Sequence, residues 1–194
     1  MSTLKDWIKV YDNVISPELC SKLMDLIDTS GNIEDHNQPW RRCKIYTFLD
    51  QTVLYQPVRE VIQKAFDRYK IEMANGPLNQ VGVLESPQIM KYSNDDNRGD
   101  NWFNWHADCW NMDTATRQIS TIIYLNDVED GGSTSFHNLG VSAKPKKGSI
   151  LIFPSSFLFI HQGEPPRSNP KYIIVSWIHF NGNGHSYRVS PLYN

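Results

Sequence analysis

Apolar positions recur with two different periods along this chain, and the change falls near residue 80. In the first part, Leu19, Leu23, Leu26 and Ile27 lie on one face at helical spacing. Ahead of them, Ser16-Pro17-Glu18 offers an N-cap oxygen, a preset first-turn φ and an acid at the positive helix end. With Gly31 as the stop, a helix is predicted over 16–30. A second is predicted over 53–69, its apolar face running through Leu54, Val58, Val61, Ile62, Ala65 and Tyr69, with Asn75-Gly76-Pro77 ending the helical part. Residues 1–15 read as a short strand region, 32–40 as polar loop and 41–49 as a strand.

Beyond residue 80 the apolar runs are short and cut by turn residues. Strands are predicted at 88–92, 117–125, 133–137, 148–153, 157–161 and 171–180. Residues 93–101 form a polar, acidic loop, and Asp130-Gly131-Gly132 is expected to be a hairpin turn. Many short antiparallel strands at close spacing predict a mainly β sandwich or jelly roll with flanking helices, an α+β class. No internal repeat or low-complexity segment interrupts the chain, and 194 residues suit one domain. The expected plan is a single domain over 1–194. Within it, 1–80 is a helical support region packed on the outer sheet face, and 81–190 is the β core.

Composition narrows the function classes. A net charge of −2 and a pI near 6.3 give no basic footprint for nucleic acid or an acidic membrane, and neither partner is expected. Cys20, Cys43 and Cys109 show no paired spacing and fit a reducing compartment. The first residues lack the apolar run of a leader, and no stretch has the ~20 apolar residues of a membrane span. A soluble, cytoplasmic protein is expected, and nothing here indicates an oligomeric state.

The candidate chemistry lies at 101–110, Asn-Trp-Phe-Asn-Trp-His-Ala-Asp-Cys-Trp. On an extended strand His106 and Asp108 leave by the same face. A second histidine, His161, closes the apolar run at 157–161. Two histidines and one carboxylate on adjacent strands make the facial triad that holds Fe(II) with positions left open. Lys171 begins the next apolar strand, and a lysine facing an apolar interior is costly unless it meets an anion. A dicarboxylate chelating the metal at one end supplies that anion. Tyr124 offers a hydroxyl to the same carboxylate, and Tyr92 a pocket wall. On spacing alone, each residue also has a plainer reading. His106 and Asp108 form a surface hydrogen-bonded pair, His161 and Tyr124 pack in a core, and Lys171 is solvated after Pro170. A zinc reading through His106-x-x-Cys109 lacks the paired cysteines such sites use. Trp102, Trp105 and Trp110 read as core or rim packing rather than substrate platforms, and His36, His137 and His185 as solvated or structural.

Further stretches raise the signal: Gln88-Ile-Met-Lys-Tyr92, Trp105-His-Ala-Asp108, Arg117-Gln-Ile-Ser-Thr-Ile-Ile-Tyr-Leu-Asn126, Val128-Glu-Asp-Gly-Gly132 followed by Thr134, Lys144-Pro-Lys-Lys-Gly148, His161, and Lys171 leading to Trp177-Ile-His179. In order and spacing they resemble the catalytic domain of the 2-oxoglutarate- and Fe(II)-dependent dioxygenases, and most closely the prolyl 4-hydroxylase branch. Val14-Ile-Ser-Pro-Glu-Leu-Cys20 is similar to how these domains open. The resemblance implies a double-stranded β-helix of cupin-like, jelly-roll type, with iron on His106, Asp108 and His161. It implies 2-oxoglutarate on the iron and on Lys171, helped by Tyr124 and Tyr92, with dioxygen as co-reactant and ascorbate as accompanying reductant. Peptide-side residues map to Arg117 and His179, and Phe103 stands where this branch carries a tyrosine.

The implied reaction is hydroxylation of a C–H bond, foremost of a peptidyl proline, with release of succinate and CO2. A free amino acid or another small molecule is the alternative substrate. An alkylated base fits the near-neutral charge poorly. A non-catalytic jelly-roll binding module is expected to lack part of the metal set, which is complete here. Halogenation is disfavoured, since Asp108 fills the place a halide needs.

Overall fold

A computed structural model describes residues 3–48, 53–73, 77–94 and 101–181. Its first part comprises β1 (Lys9–Tyr11), α1 (Pro17–Thr29), β2 (Glu34–Gln38), β3 (Arg41–Thr47) and α2 (Tyr55–Glu72). The second part adds β4 (Val81–Leu84), β5 (Gln88–Tyr92), β6 (Phe103–His106), β7 (Arg117–Tyr124), β8 (Thr134–Phe136), β9 (Val141–Ala143), β10 (Ile150–Pro154), β11 (His161–Gly163) and β12 (Lys171–Phe180). All pairings between these strands are antiparallel, in the order β1-β10-β7-β12-β5-β3-β6-β11-β8-β9, with β2 on β3 and β4 on β12. The sheet curls into a nearly closed barrel. No helix among the described residues is long and apolar enough to cross a membrane.

Alternation along the central strands sorts residues into two cores. On β12, Ile174 and Ile178 join Ile119 and Ile123 of β7 and Ile150 and Ile152 of β10 on the outer face. Leu23 and Ile27 of α1 and Val58, Ile62 and Phe66 of α2 cover that face. Ile173, Val175 and Trp177 point the other way, with Ile122, Tyr124, Met90, Tyr92 and Phe153, into the barrel. Both faces of β7 and β12 are therefore covered, which is why these strands read as near-continuous apolar runs.

α1 follows its signals closely. Ser16 Oγ accepts from the Leu19 amide at 3.2 Å, and the helix closes two residues before Gly31. α2 continues past the predicted end at 69 to Glu72, and the Arg68–Glu72 pair at 2.9 Å supports the added turn. Three expectations are corrected. The loop expected over 32–40 contains β2, whose Glu-Asp-His-Asn-Gln has no apolar residue because it pairs with β3 alone and is largely exposed. The strand expected over 157–161 is a 3-10 turn at Phe157–Phe159, and the strand begins only at His161. Phe157 and Leu158 are exposed there, so the apolar run does not mark a buried strand. Asp130-Gly131-Gly132 is a turn, with Gly131 and Gly132 at φ of 72° and 73°, but not a hairpin. β7 pairs with β10 and β12, and β8 with β9 and β11, so the turn carries the chain from one half of the barrel to the other. β4, β6 and β9 arise where the apolar pattern predicts no strand. His185, expected to be solvated or structural, and most of the 93–101 loop (95–100) lie outside the described residues.

Candidate active site

β6 and β11 lie side by side in a register that sets His106 directly opposite His161. In each residue Nδ1 meets a backbone carbonyl, that of Asn104 at 2.7 Å for His106 and that of Phe159 at 3.0 Å for His161. A carbonyl only accepts, so Nδ1 carries the proton and both Nε2 lone pairs are free. β6 ends at His106, and Asp108 reaches the same point from the turn that follows rather than from the strand. The Cys109 amide donates to the Ser155 carbonyl at 2.9 Å and pins that turn. Ser120 Oγ, on the interior face of β7, donates to Asp108 Oδ2 at 2.6 Å and meets Ser155 Oγ at 2.8 Å. Asp108 lies 3.6 Å from His106 Nε2 and 3.7 Å from His161 Nε2, and the three ligand atoms fall within 4.8 Å of one another.

The charges suit a cation. Burial by itself raises the Asp108 carboxyl, but the imidazoles of His161 and His106 and the Ser120 hydroxyl hold it well below the usual carboxylate range. Burial pushes the His161 imidazole down to about 4 against the pull of Asp108. A carboxylate facing the neutral His161 imidazole is the ligating form of this pair at neutral pH. Two nitrogens and one oxygen on one side of an open space fit ferrous iron better than tetrahedral zinc. Cys109 takes no part, since its Sγ turns to the Ala115 carbonyl at 3.7 Å, and the His-x-x-Cys reading falls.

Behind the cluster a narrow chamber runs into the barrel, lined by Tyr92, Thr134, Gly163, Lys171 and Val175 among others. Lys171 is 1% exposed. Its Nζ donates to the carbonyls of Gly132 at 2.9 Å and Glu164 at 3.4 Å and lies 4.6 Å above the Tyr92 ring. No salt bridge forms between it and another described residue, and burial lowers its pKa to about 8. An ammonium held by carbonyls and a π face at the end of a chamber fits an anionic group. Tyr124 is fully buried but does not line the chamber; its hydroxyl donates to Thr134 Oγ1 at 2.8 Å, and Thr134 does line it. Tyr92 turns its hydroxyl to Met90 Sδ at 3.5 Å. Thr134 is absent from the sequence-derived site residues, although Gly131-Gly132-x-Thr134 was the available signal.

On the outer side a cleft of about 690 Å³ opens onto His106 and Asp108. Its aromatic lining comprises Trp40, Phe103, Trp105, Trp110 and Trp177. Phe103 stacks on the His106 ring, centroids 3.6 Å apart and planes within 13°. Arg117 lines the cleft with its guanidinium 3.6 Å over Trp177, bonded to both carboxylate oxygens of Glu85 at 2.6 and 2.8 Å. His179 Nε2 donates to the same carboxylate at 2.8 Å, and His179 does not itself line the cleft. Glu85 thus joins two sequence-predicted residues, and nothing in its local sequence signals this. Trp102 packs under Arg42, 5.0 Å from the guanidinium, while Trp105 and Trp110 stand at the cleft rim.

Comparison with known proteins agrees with this geometry. Residues 87–179 match the 2OG-Fe(II) oxygenase superfamily. The chain is 25% identical over 200 residues to an Acanthamoeba polyphaga mimivirus protein assigned by name as a prolyl 4-hydroxylase, covering 87% of this chain and 72% of that one. Among solved structures, the viral collagen prolyl hydroxylase of Paramecium bursaria Chlorella virus-1, in its 2OG complex, superposes with a TM-score of 0.70 at 23% identity. That match covers 90% of this chain and 96% of that one. A Trichoplax adhaerens prolyl hydroxylase in complex with a hypoxia inducible factor peptide fragment gives 0.71 at 16% identity, covering 90% and 84%. These structural matches bear on the fold: a double-stranded β-helix with two helices on its outer face. The match over residues 87–179, the mimivirus relative and the His-Asp-His cluster together support a prolyl hydroxylase-like 2OG-Fe(II) oxygenase.

Proposed function

We propose that this oxygenase hydroxylates a peptidyl proline, working as one domain over 1–194. The observation that carries the reading is the continuity of the aromatic-walled cleft with the cluster of His106, Asp108 and His161. Aromatic grooves suit proline-rich segments, which enter already extended and lose little entropy on binding. A cleft of about 690 Å³ is ample for several residues of peptide, which favours a peptide over a free amino acid. When bound, Fe(II) and 2-oxoglutarate with dioxygen supply the oxidising power for C–H hydroxylation, with succinate and CO2 released.

The chain's own residues hold and orient. His106, Asp108 and His161 are the ligands in this reading, and Lys171 pairs with the far carboxylate of 2-oxoglutarate. Thr134, oriented by Tyr124, and the ring of Tyr92 border that carboxylate. Phe103 holds the His106 ring by stacking and offers the substrate an apolar edge in the absence of a phenol. Arg117 and His179, fixed through Glu85, form the polar rim for the peptide backbone. The free thiols of Cys20, Cys43 and Cys109 support a reducing, cytoplasmic setting.

The test is incubation of the protein with Fe(II), 2-oxoglutarate, ascorbate and a library of proline-containing peptides, read by mass spectrometry. A mass gain of one oxygen atom on proline, lost in His106→Ala, is the expected result. Succinate formation that persists in His106→Ala would overturn the iron assignment. Oxygen gain only on free amino acids would overturn the peptide assignment.

A further inference from the structure

The cleft holds a second cation besides Arg117, and the two differ in their partners. Arg117 is neutralised by both oxygens of Glu85. Arg41, half-buried at the start of β3, has no carboxylate partner among the described residues. Its Nη2 donates to His36 Nδ1 at 2.8 Å, its guanidinium lies 5.1 Å from the centre of the Phe103 ring, and its Nε is buried without a hydrogen bond. Nε is enclosed, but the Nη hydrogens not held by His36 are left to make a charge-assisted pair with a carboxylate.

The surroundings hold this group in place. Because Nδ1 of His36 accepts from Arg41, Nε2 carries the proton and donates to Glu34 Oε2 at 3.1 Å. Glu34, His36 and Arg41 therefore form one relay across the β2–β3 hairpin, and all three line the cleft. The hairpin is tied to β6 by the Arg42 amide on the Trp102 carbonyl and the Asn104 amide on the Trp40 carbonyl, each at 2.8 Å. Arg41 is the cross-strand neighbour of Phe103, whose ring stacks on the ligand His106. The guanidinium thus lies no more than about 9 Å from the His106 ring, roughly two to three residues of extended chain.

From this arrangement we infer that Arg41 selects an acidic residue in the peptide, placed within about three residues of the one hydroxylated. His36 is the positioning residue, since it holds the guanidinium by a neutral acceptor and leaves its charge unspent. Glu34 is bonded to the far nitrogen of His36 and is largely exposed. This inference rests on the peptide reading given above.

The test measures binding before turnover. Pairs of proline peptides that differ only by Asp or Asn on either side of the proline are titrated into the metal-free protein. The signal is the fluorescence of Trp40, Trp105 and Trp110 in the cleft. The expected result is a preference of about tenfold or more for the Asp peptide, the worth of one charge-assisted pair. Arg41→Gln removes the preference, Arg41→Lys restores part of it, and Arg41→Glu turns it toward a Lys-bearing peptide. His36→Phe lowers the ratio of Asp-peptide to Asn-peptide affinity. Equal affinity of the wild-type protein for Asp and Asn peptides overturns the inference, as does a preference retained in Arg41→Gln. Should the Asp preference depend on Arg41 while no proline gains oxygen, the inference stands and the proline assignment alone falls.

Discussion

Asp108 is held in its charged form inside the protein with Ser120 donating to one of its oxygens at 2.6 Å. That hydroxyl also fixes which way the carboxylate turns. Ser120→Ala is therefore expected to weaken divalent metal binding by about 10–100-fold without loss of fold, measured by Mn(II) titration. Lys171 gives the second expectation at this scale. Burial lowers its pKa to about 8, so the ammonium is present below that pH and is lost above it in the ligand-free protein. An anion binding above about pH 8 must bring the proton back, and affinity falls by up to tenfold per pH unit until the bound-state pKa is reached. Titration of 2-oxoglutarate into Mn(II)-loaded protein from neutral to alkaline pH should show that decline. Lys171→Met should bind roughly 10–100-fold more weakly at neutral pH and lose the pH dependence.

The elements divide the labour between stability and chemistry. β7 and β12 present one face to α1 and α2 and the other to the chamber, so alternate residues on one strand serve different ends. Leu23 of α1 is fully buried against the outer face, away from the ligands. Leu23→Ala should cost about 2–5 kcal/mol in urea denaturation while leaving metal affinity of the folded protein unchanged. Loss of metal affinity in step with stability would mean that the two faces are coupled through the sheet.

The molecule as a whole gains from its ion. A metal that binds only the folded chain, present at about a hundred times its Kd, adds about 2.7 kcal/mol. For a chain of this size that raises the thermal midpoint by about 5–10 °C, a shift expected to vanish in His106→Ala. The same scale shows what could be read beforehand. Helical periodicity and capping marked α1 and α2, because those patterns record burial of one face. The ligands and Lys171 were legible because charged or ligating groups inside apolar strands have few other uses. β2 was not, since a strand wet on both faces leaves no apolar trace. Glu85 and Arg41 were also silent: each owes its place to partners brought together only by the fold.

His106 and His161 face each other across one ladder, with the register shifting just beyond, between His161 and Gly163. A slip of one residue there would swing an imidazole to the far side of the sheet and leave a molecule of ordinary shape unable to hold iron. Bound ion per polypeptide therefore counts the copies whose threads are correctly aligned. A preparation that holds a misregistered fraction is expected to load less than one equivalent even at saturating metal.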